Sequence, residues 1–186
     1  MKRKGENIMT DLELLQLARK AGFEAALLPA EQVPMDGKFR PFCEENRCGQ
    51  YNANYSCPPT CGTVEEMGQR IREGKTALVL KSDWPIENYG DVSAIQHGKR
   101  THNQNMLQLN QQLEAEGSGG LCVGGSCCCL CTPCRMKTGE PCLYPQLRFS
   151  CMSAYCVDVA ELAGRCGMEF SWDQKKLSVY SMIVLR

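Results

Sequence analysis

Histidine is nearly absent from this chain of 186 residues, with only His97 and His102 present. They lie five apart in a polar helical stretch, neither three nor four apart, so they do not share one helix face. They read as surface histidines rather than metal ligands. Net charge is missing too: 21 Lys and Arg balance 21 Asp and Glu. A balanced chain gives no electrostatic reason to bind nucleic acid or an anionic membrane. Its short basic clusters, at Lys2 to Lys4, Lys99-Arg100 and Lys175-Lys176, read as solvated surface. Long apolar runs are lacking as well. The longest aliphatic stretches, such as residues 77–80 and 182–185, fall far short of the roughly 18 residues a membrane span needs. The basic start, residues 1–10, leads into no apolar segment, so no secretory signal is expected and the chain is placed in the cytoplasm.

Several reaction motifs are missing. The glycines at 117, 119 and 120 lack the Gly-Lys-Ser/Thr ending of a phosphate loop, and Gly124-Gly125 does not continue as G-x-G-x-x-G. No G-x-S-x-G or H-E-x-x-H occurs, and no carboxylate pair stands out as catalytic.

Cysteine is abundant, with 14 residues. In a reducing compartment disulfides do not persist, and so many thiols point to metal. They are unevenly spread: four lie between 43 and 61, seven between 122 and 142, and three more at 151, 156 and 166.

Between these windows the sequence reads as an ordinary globular domain. Thr10 and Glu13 form a capping box for a helix ending near Gly22, and Thr63 and Glu66 form another for a helix ending near Gly74. Residues 25–28, 76–82 and 121–123 read as strands, and 92–116 as a long helix with Ile95, Met106, Leu109 and Leu113 inward. Asp158 caps a short helix, and residues 169–172 with 176–185 read as a closing hairpin turned at Asp173-Gln174. The expected fold is α/β: a small mixed sheet with crossover helices, two cysteine-rich metal loops and a C-terminal β-hairpin. All 186 residues form one domain, with 1–9 frayed and metal loops at 36–62 and 122–150.

The second loop carries the sharper pattern. Cys128, Cys131, Cys134 and Cys142 read C-x2-C-x2-C-x7-C. A cysteine every third residue in a tight loop turns three thiolates inward, and a more distant one closes a fourth corner, as an iron–sulfur cube requires. Taking Cys127 in place of Cys128 gives the C-x3-C-x2-C spacing of radical S-adenosylmethionine enzymes, but too little chain follows Cys134 for their large partial barrel. In the first loop Cys43, Cys48, Cys57 and Cys61 read C-x4-C-x8-C-x3-C, and Pro58-Pro59 stiffens the backbone after Cys57. Without Cys61 this set has three thiolates and an open position. Cys122, Cys151, Cys156 and Cys166 read as small buried residues, although Cys151 and Cys156 lie near enough to the second loop to compete for its fourth position. Zinc also takes four thiolates, as a structural alternative.

Several segments, taken in order, resemble one family. They are Phe42-Cys43, Cys57-Pro58-Pro59, Gly125 to Cys134, Cys142-Leu143-Tyr144-Pro145, Arg148-Phe149-Ser150 and Val157-Asp158-Val159. The family is that of cysteine-rich predicted metal-binding proteins, a domain of unknown function of anaerobic prokaryotes. The resemblance runs from about residue 10 to the end. It implies metal binding, of the iron–sulfur kind, through Cys43, Cys48 and Cys57 and through Cys128, Cys131, Cys134 and Cys142. Cys61, Cys127 and Cys129 stand outside that pattern, and no reaction follows from it.

The resulting expectation is a protein binding one or two iron–sulfur clusters of the [4Fe–4S] type. Its role would be electron transfer to a redox protein partner, with no nucleic acid and no membrane. The alternatives are an iron–sulfur enzyme or activase with an open-coordination cluster at 43–61, and a zinc-stabilised structural or interaction module.

Overall fold

The computed structural model describes residues 9–186; the first eight residues of the expected frayed extension lie outside the described residues. Met9, the ninth, packs against the core and donates its backbone N–H to Ser118 Oγ at 3.4 Å.

Five helices and five strands follow in order: α1 (Asp11–Lys20), β1 (Glu24–Pro29), α2 (Arg40–Glu44), α3 (Val64–Arg72), β2 (Thr76–Pro85), α4 (Val92–Ala115), β3 (Gly120–Gly124), β4 (Ser150–Cys151), α5 (Val159–Arg165) and β5 (Lys176–Leu185). Both capping boxes form. Thr10 Oγ1 accepts from the Glu13 amide at 3.3 Å and Glu13 Oε2 from the Thr10 amide at 2.8 Å. Thr63 and Glu66 repeat the arrangement at 3.2 and 2.8 Å. Each box satisfies two amides that a helix start leaves without partners.

The sheet runs β1-β2-β5-β3-β4. β5, last in the chain, lies in the middle and pairs antiparallel with β2 and β3, whereas β3 and β4 are parallel. Strand alternation divides the apolar residues between two faces. Leu78, Leu80, Ile183 and Leu185 meet Leu14 and Ala18 of α1 and Met106, Leu109 and Leu113 of α4. Ala77, Val79, Met182 and Val184 meet Met67 and Ile71 of α3 and Leu162 and Ala163 of α5. A sheet covered on both faces explains why β5 reads as a nearly continuous apolar run.

Two expectations need correction. The C-terminal hairpin does not form, because residues 169–172 are not a strand. β2 occupies one edge of β5 over its whole length. The 169–172 segment is held by its side chains instead, Phe170 against Tyr180 at 5.9 Å and Trp172 against Tyr89 at 5.7 Å between ring centroids. The second correction concerns His102, which is fully buried in α4 rather than at the surface. Its Nδ1 lies 2.6 Å from Ser82 Oγ and its Nε2 2.7 Å from Ser181 Oγ, so it pins the helix to β2 and β5. Burial pulls its pKa down to about 3 and keeps it neutral.

Candidate metal centre

The first cysteine loop leaves β1 and is tied at once to the segment after β4. The Asp36 amide donates to Cys156 O and the Asp158 amide to Pro34 O, each at 2.9 Å. α2 then presents Cys43, whose Sγ lies 3.8 Å from Ser153 O. Asn46, Gly49 and Asn52, all with left-handed backbone (φ 54°, 68° and 51°), fold the chain back on itself. Asn and Gly tolerate that conformation best, which accounts for the polar, Asn-rich composition here. Asn54 is 3 % exposed. It accepts from the Ser56 amide at 3.0 Å and donates from Nδ2 to Cys128 O at 3.1 Å, so it joins this loop to the other.

The second loop leaves the end of β3. Asn103, fully buried on α4, holds its first turn. Asn103 Oδ1 accepts from the Gly125 amide and its Nδ2 donates to Ser126 Oγ, both at 2.9 Å. A Cβ on Gly124 would stand 2.5 Å from Phe149 Cε2, so only glycine fits where the loop leaves the sheet. Tyr55 Oη donates to Glu140 O at 2.8 Å, a second link between the loops.

Both loops open into one cavity of about 530 Å³. Cys43, Cys48 and Cys57 line it from the first loop, and Cys127, Cys128, Cys129, Cys131 and Cys134 from the second; Cys151 joins them from β4. Six of the eight residues marked by spacing, Cys43, Cys48, Cys57, Cys128, Cys131 and Cys134, therefore face a common space. The other two do not line it. Cys61 is buried in the core, its Sγ 3.4 Å from Met67 Sδ. Cys142 sits half-buried elsewhere on the second loop, beside exposed Leu143 and Tyr144. Three lining cysteines were not among the eight. Cys151, expected to be a buried core residue, is half-buried and reaches the cavity because β4 pairs with the end of β3. Cys127 and Cys129 flank Cys128, and sequence spacing alone cannot rank three adjacent thiols.

Burial and thiol pairing act on the cysteines of the wall in different directions. Burial raises the thiol pKa of Cys43, Cys128 and Cys129, and pushes Cys151 up to about 12. Pairing between the neighbouring Cys57 and Cys127 thiols raises Cys57, which keeps its proton, and brings Cys127 down to about 7, with further help from the Lys99 charge. Lys99, Arg100 and Lys137 also line the cavity, and no Asp, Glu or His does.

Among the described residues, no three His, Cys, Asp or Glu side chains already converge closely enough to hold a single ion. The thiols surround a space instead of meeting at a point. The donor set is nonetheless purely sulfur, which suits soft or borderline metals and iron–sulfur clusters and disfavours magnesium or calcium. The space exceeds one ion, and the cations can offset thiolate charge. The residues therefore fit a thiolate-bound metal group.

An α/β fold that opens two cysteine loops onto one sulfur-lined cavity defines a cysteine-rich metal-binding protein. The family described as predicted metal-binding protein, DUF2284, matches residues 26–185, and the chain belongs to that family. Neither a curated protein nor a solved structure matches it. No helix among the described residues is long and apolar enough to cross a membrane.

Proposed function

We propose that the protein holds an iron–sulfur cluster of the [4Fe–4S] type in the cavity between its loops and passes electrons through it to a redox partner protein. The observation that carries this reading is the wall itself: nine thiols and no carboxylate or imidazole around one space. Iron–sulfur clusters are held by thiolates, and burial and hydrogen bonds to sulfur tune their potentials. The backbones at Leu130 and Phe149 act to lower the Cys128 thiol, and those at Ser153 and Ala154 the Cys151 thiol, against the larger effect of burial. Lys99, Arg100 and Lys137 supply positive charge at the same cavity, which suits an anionic cluster and an acidic partner. All fourteen cysteines are unpaired thiols, in keeping with a reducing, cytoplasmic setting.

A second reading, an enzyme or activase with an open cluster position, is favoured by one observation. Cys61 faces Met67 and leaves the first loop with three cavity thiols, Cys43, Cys48 and Cys57. The experiment for the main reading is anaerobic purification with iron, sulfide and zinc analysis. The expected preparation is brown, with iron and acid-labile sulfide in matching amounts. Stoichiometric zinc without sulfide, from cells supplied with iron, would leave the zinc-stabilised module in its place.

A further inference from the structure

Sequence spacing treats the two loops as two separate metal sites. The structure arranges the thiols differently. Cys57, Cys127 and Cys151 come from three segments: the first loop, the start of the second, and β4. Each is positioned by a specific backbone link. Cys57 donates its amide to Asn54 O at 2.9 Å, and the Asn54 side chain reaches Cys128 O, next to Cys127, at 3.1 Å. Cys127 follows Gly125 and Ser126, which the buried Asn103 holds from α4 at 2.9 Å each. Cys151 lies in register with Gly124, two residues before Ser126, and the Met152 amide closes that pairing on Gly124 O at 2.9 Å. Apart from the Cys57–Asn54 bond within the first loop, these links cross from one segment to another.

We propose that Cys57, Cys127 and Cys151 are ligands of one metal site built across both loops, so that neither loop holds its metal alone. Their mutual proximity supports this. All three line the one cavity between the loops, and they lie near enough for Cys151 to raise the Cys57 thiol and for Cys127 to raise that of Cys151. Cys128, the residue that spacing selects, lines the cavity as well but also packs against the apolar cluster that includes Phe149. Cys43 and Cys48 line the same cavity, and the first loop supplies the fourth ligand from that pair.

This inference rests on the metal-binding reading above but not on which metal is bound. The test uses the full chain, purified anaerobically, with serine at each position in turn. Iron, sulfide and zinc per chain are measured together with the paramagnetic resonance spectrum of the dithionite-reduced protein. Cys57→Ser, Cys127→Ser and Cys151→Ser are each expected to lose the same metal species. Cys61→Ser and Cys142→Ser are expected to keep it. Wild-type metal content and spectrum in Cys127→Ser and Cys151→Ser, with loss in Cys128→Ser, would overturn the proposal. For any variant that does not fold, alkylation of the wild-type chain is read by peptide mass with and without a chelator. Cys57, Cys127 and Cys151 must then be protected only while metal is bound, and unchanged labelling counts against the proposal. If the wild type carries zinc without sulfide, the iron–sulfur reading fails, while the same variants still decide the ligands by their zinc content. A wild type that binds neither metal removes both.

Discussion

Strands β2 and β5 pair along ten residues each, and β5 is buried along almost its whole length. The second cysteine loop is the opposite case: from residue 125 to residue 148 not one residue is buried. The first region organises itself by removing apolar surface from water. The second has no core of its own, and hydrogen bonds to neighbouring segments together with an unusual density of thiols take that place. Chain entropy must be offset in either case. In the loops a metal is the group available to offset it, because metal binding free energy becomes folding free energy where the ligands are otherwise loose.

The sharpest way to break this contrast is to remove the metal. Chelation of the anaerobically purified protein should release the loops and leave the sheet. Amides of residues 43–57 and 126–147 are expected to exchange with solvent faster by roughly a hundredfold or more, while those of β2 and β5 keep their protection. Loss of protection in β5 as well would mean that sheet and loops are one cooperative unit.

The reverse experiment acts on the sheet. Leu80 is fully buried between β2 and the α1–α4 layer. Leu80→Ala should cost about 2–5 kcal/mol of stability, from lost burial and the cavity left behind. Metal content per folded chain should stay unchanged, because Leu80 does not line the cavity. Denaturant unfolding and metal analysis on the same preparation check both halves. A fall in metal content in the folded fraction would tie the site to core packing.

The same contrast explains what was legible in the sequence. The capping boxes at Thr10 and Thr63, the strand from Thr76 and the long helix from Val92 are written in local chemistry, at spacings of three or four residues, and all of them form. The position of β5 is not local. It is set by pairing with strands some 60 and 100 residues earlier, and a hairpin with its immediate predecessor is the natural but mistaken reading. The cysteines divide in the same way. Spacing shows which thiols can turn toward each other within one loop. It does not show that the β3–β4 pairing carries Cys151 to the cavity, or that a bond from Asn54 brings the loops together. Cys61 has ligand spacing, yet it lies one residue from the Gly62-Thr63 helix start, where its thiol meets Met67. His102 was misread for a related reason: a polar residue on a polar helix looks solvated until hydroxyls from two strands meet it.

His102 also gives the finest test, since it is a titrating group on the sheet side of the molecule. Folded, it stays neutral down to a pKa of about 3; its ordinary value is 6.5. Above pH 6.5 neither the folded nor the unfolded chain holds this proton, and the histidine adds no pH dependence. Between pH 6.5 and 3 only the unfolded chain binds it, so stability falls as the solution is acidified, by about 1.4 kcal/mol per pH unit. From pH 6.5 to 5 that amounts to about 2 kcal/mol. The carboxylates of Asp36, Glu65 and Glu169, held below their ordinary values of 3.8 to 4.5, lose their contributions at lower pH, so this window separates the imidazole from them. Gln at 102 retains a donor and an acceptor for Ser82 and Ser181 but cannot titrate. His102→Gln is therefore expected to flatten the dependence of the unfolding midpoint on pH between 6.5 and 5. Cavity thiolates also take up protons in acid, so metal content is measured at each pH and the slope read only where it is constant. Equal slopes in wild type and variant would show that acid acts through the cysteine loops, and the sheet would no longer be the independent half of the molecule.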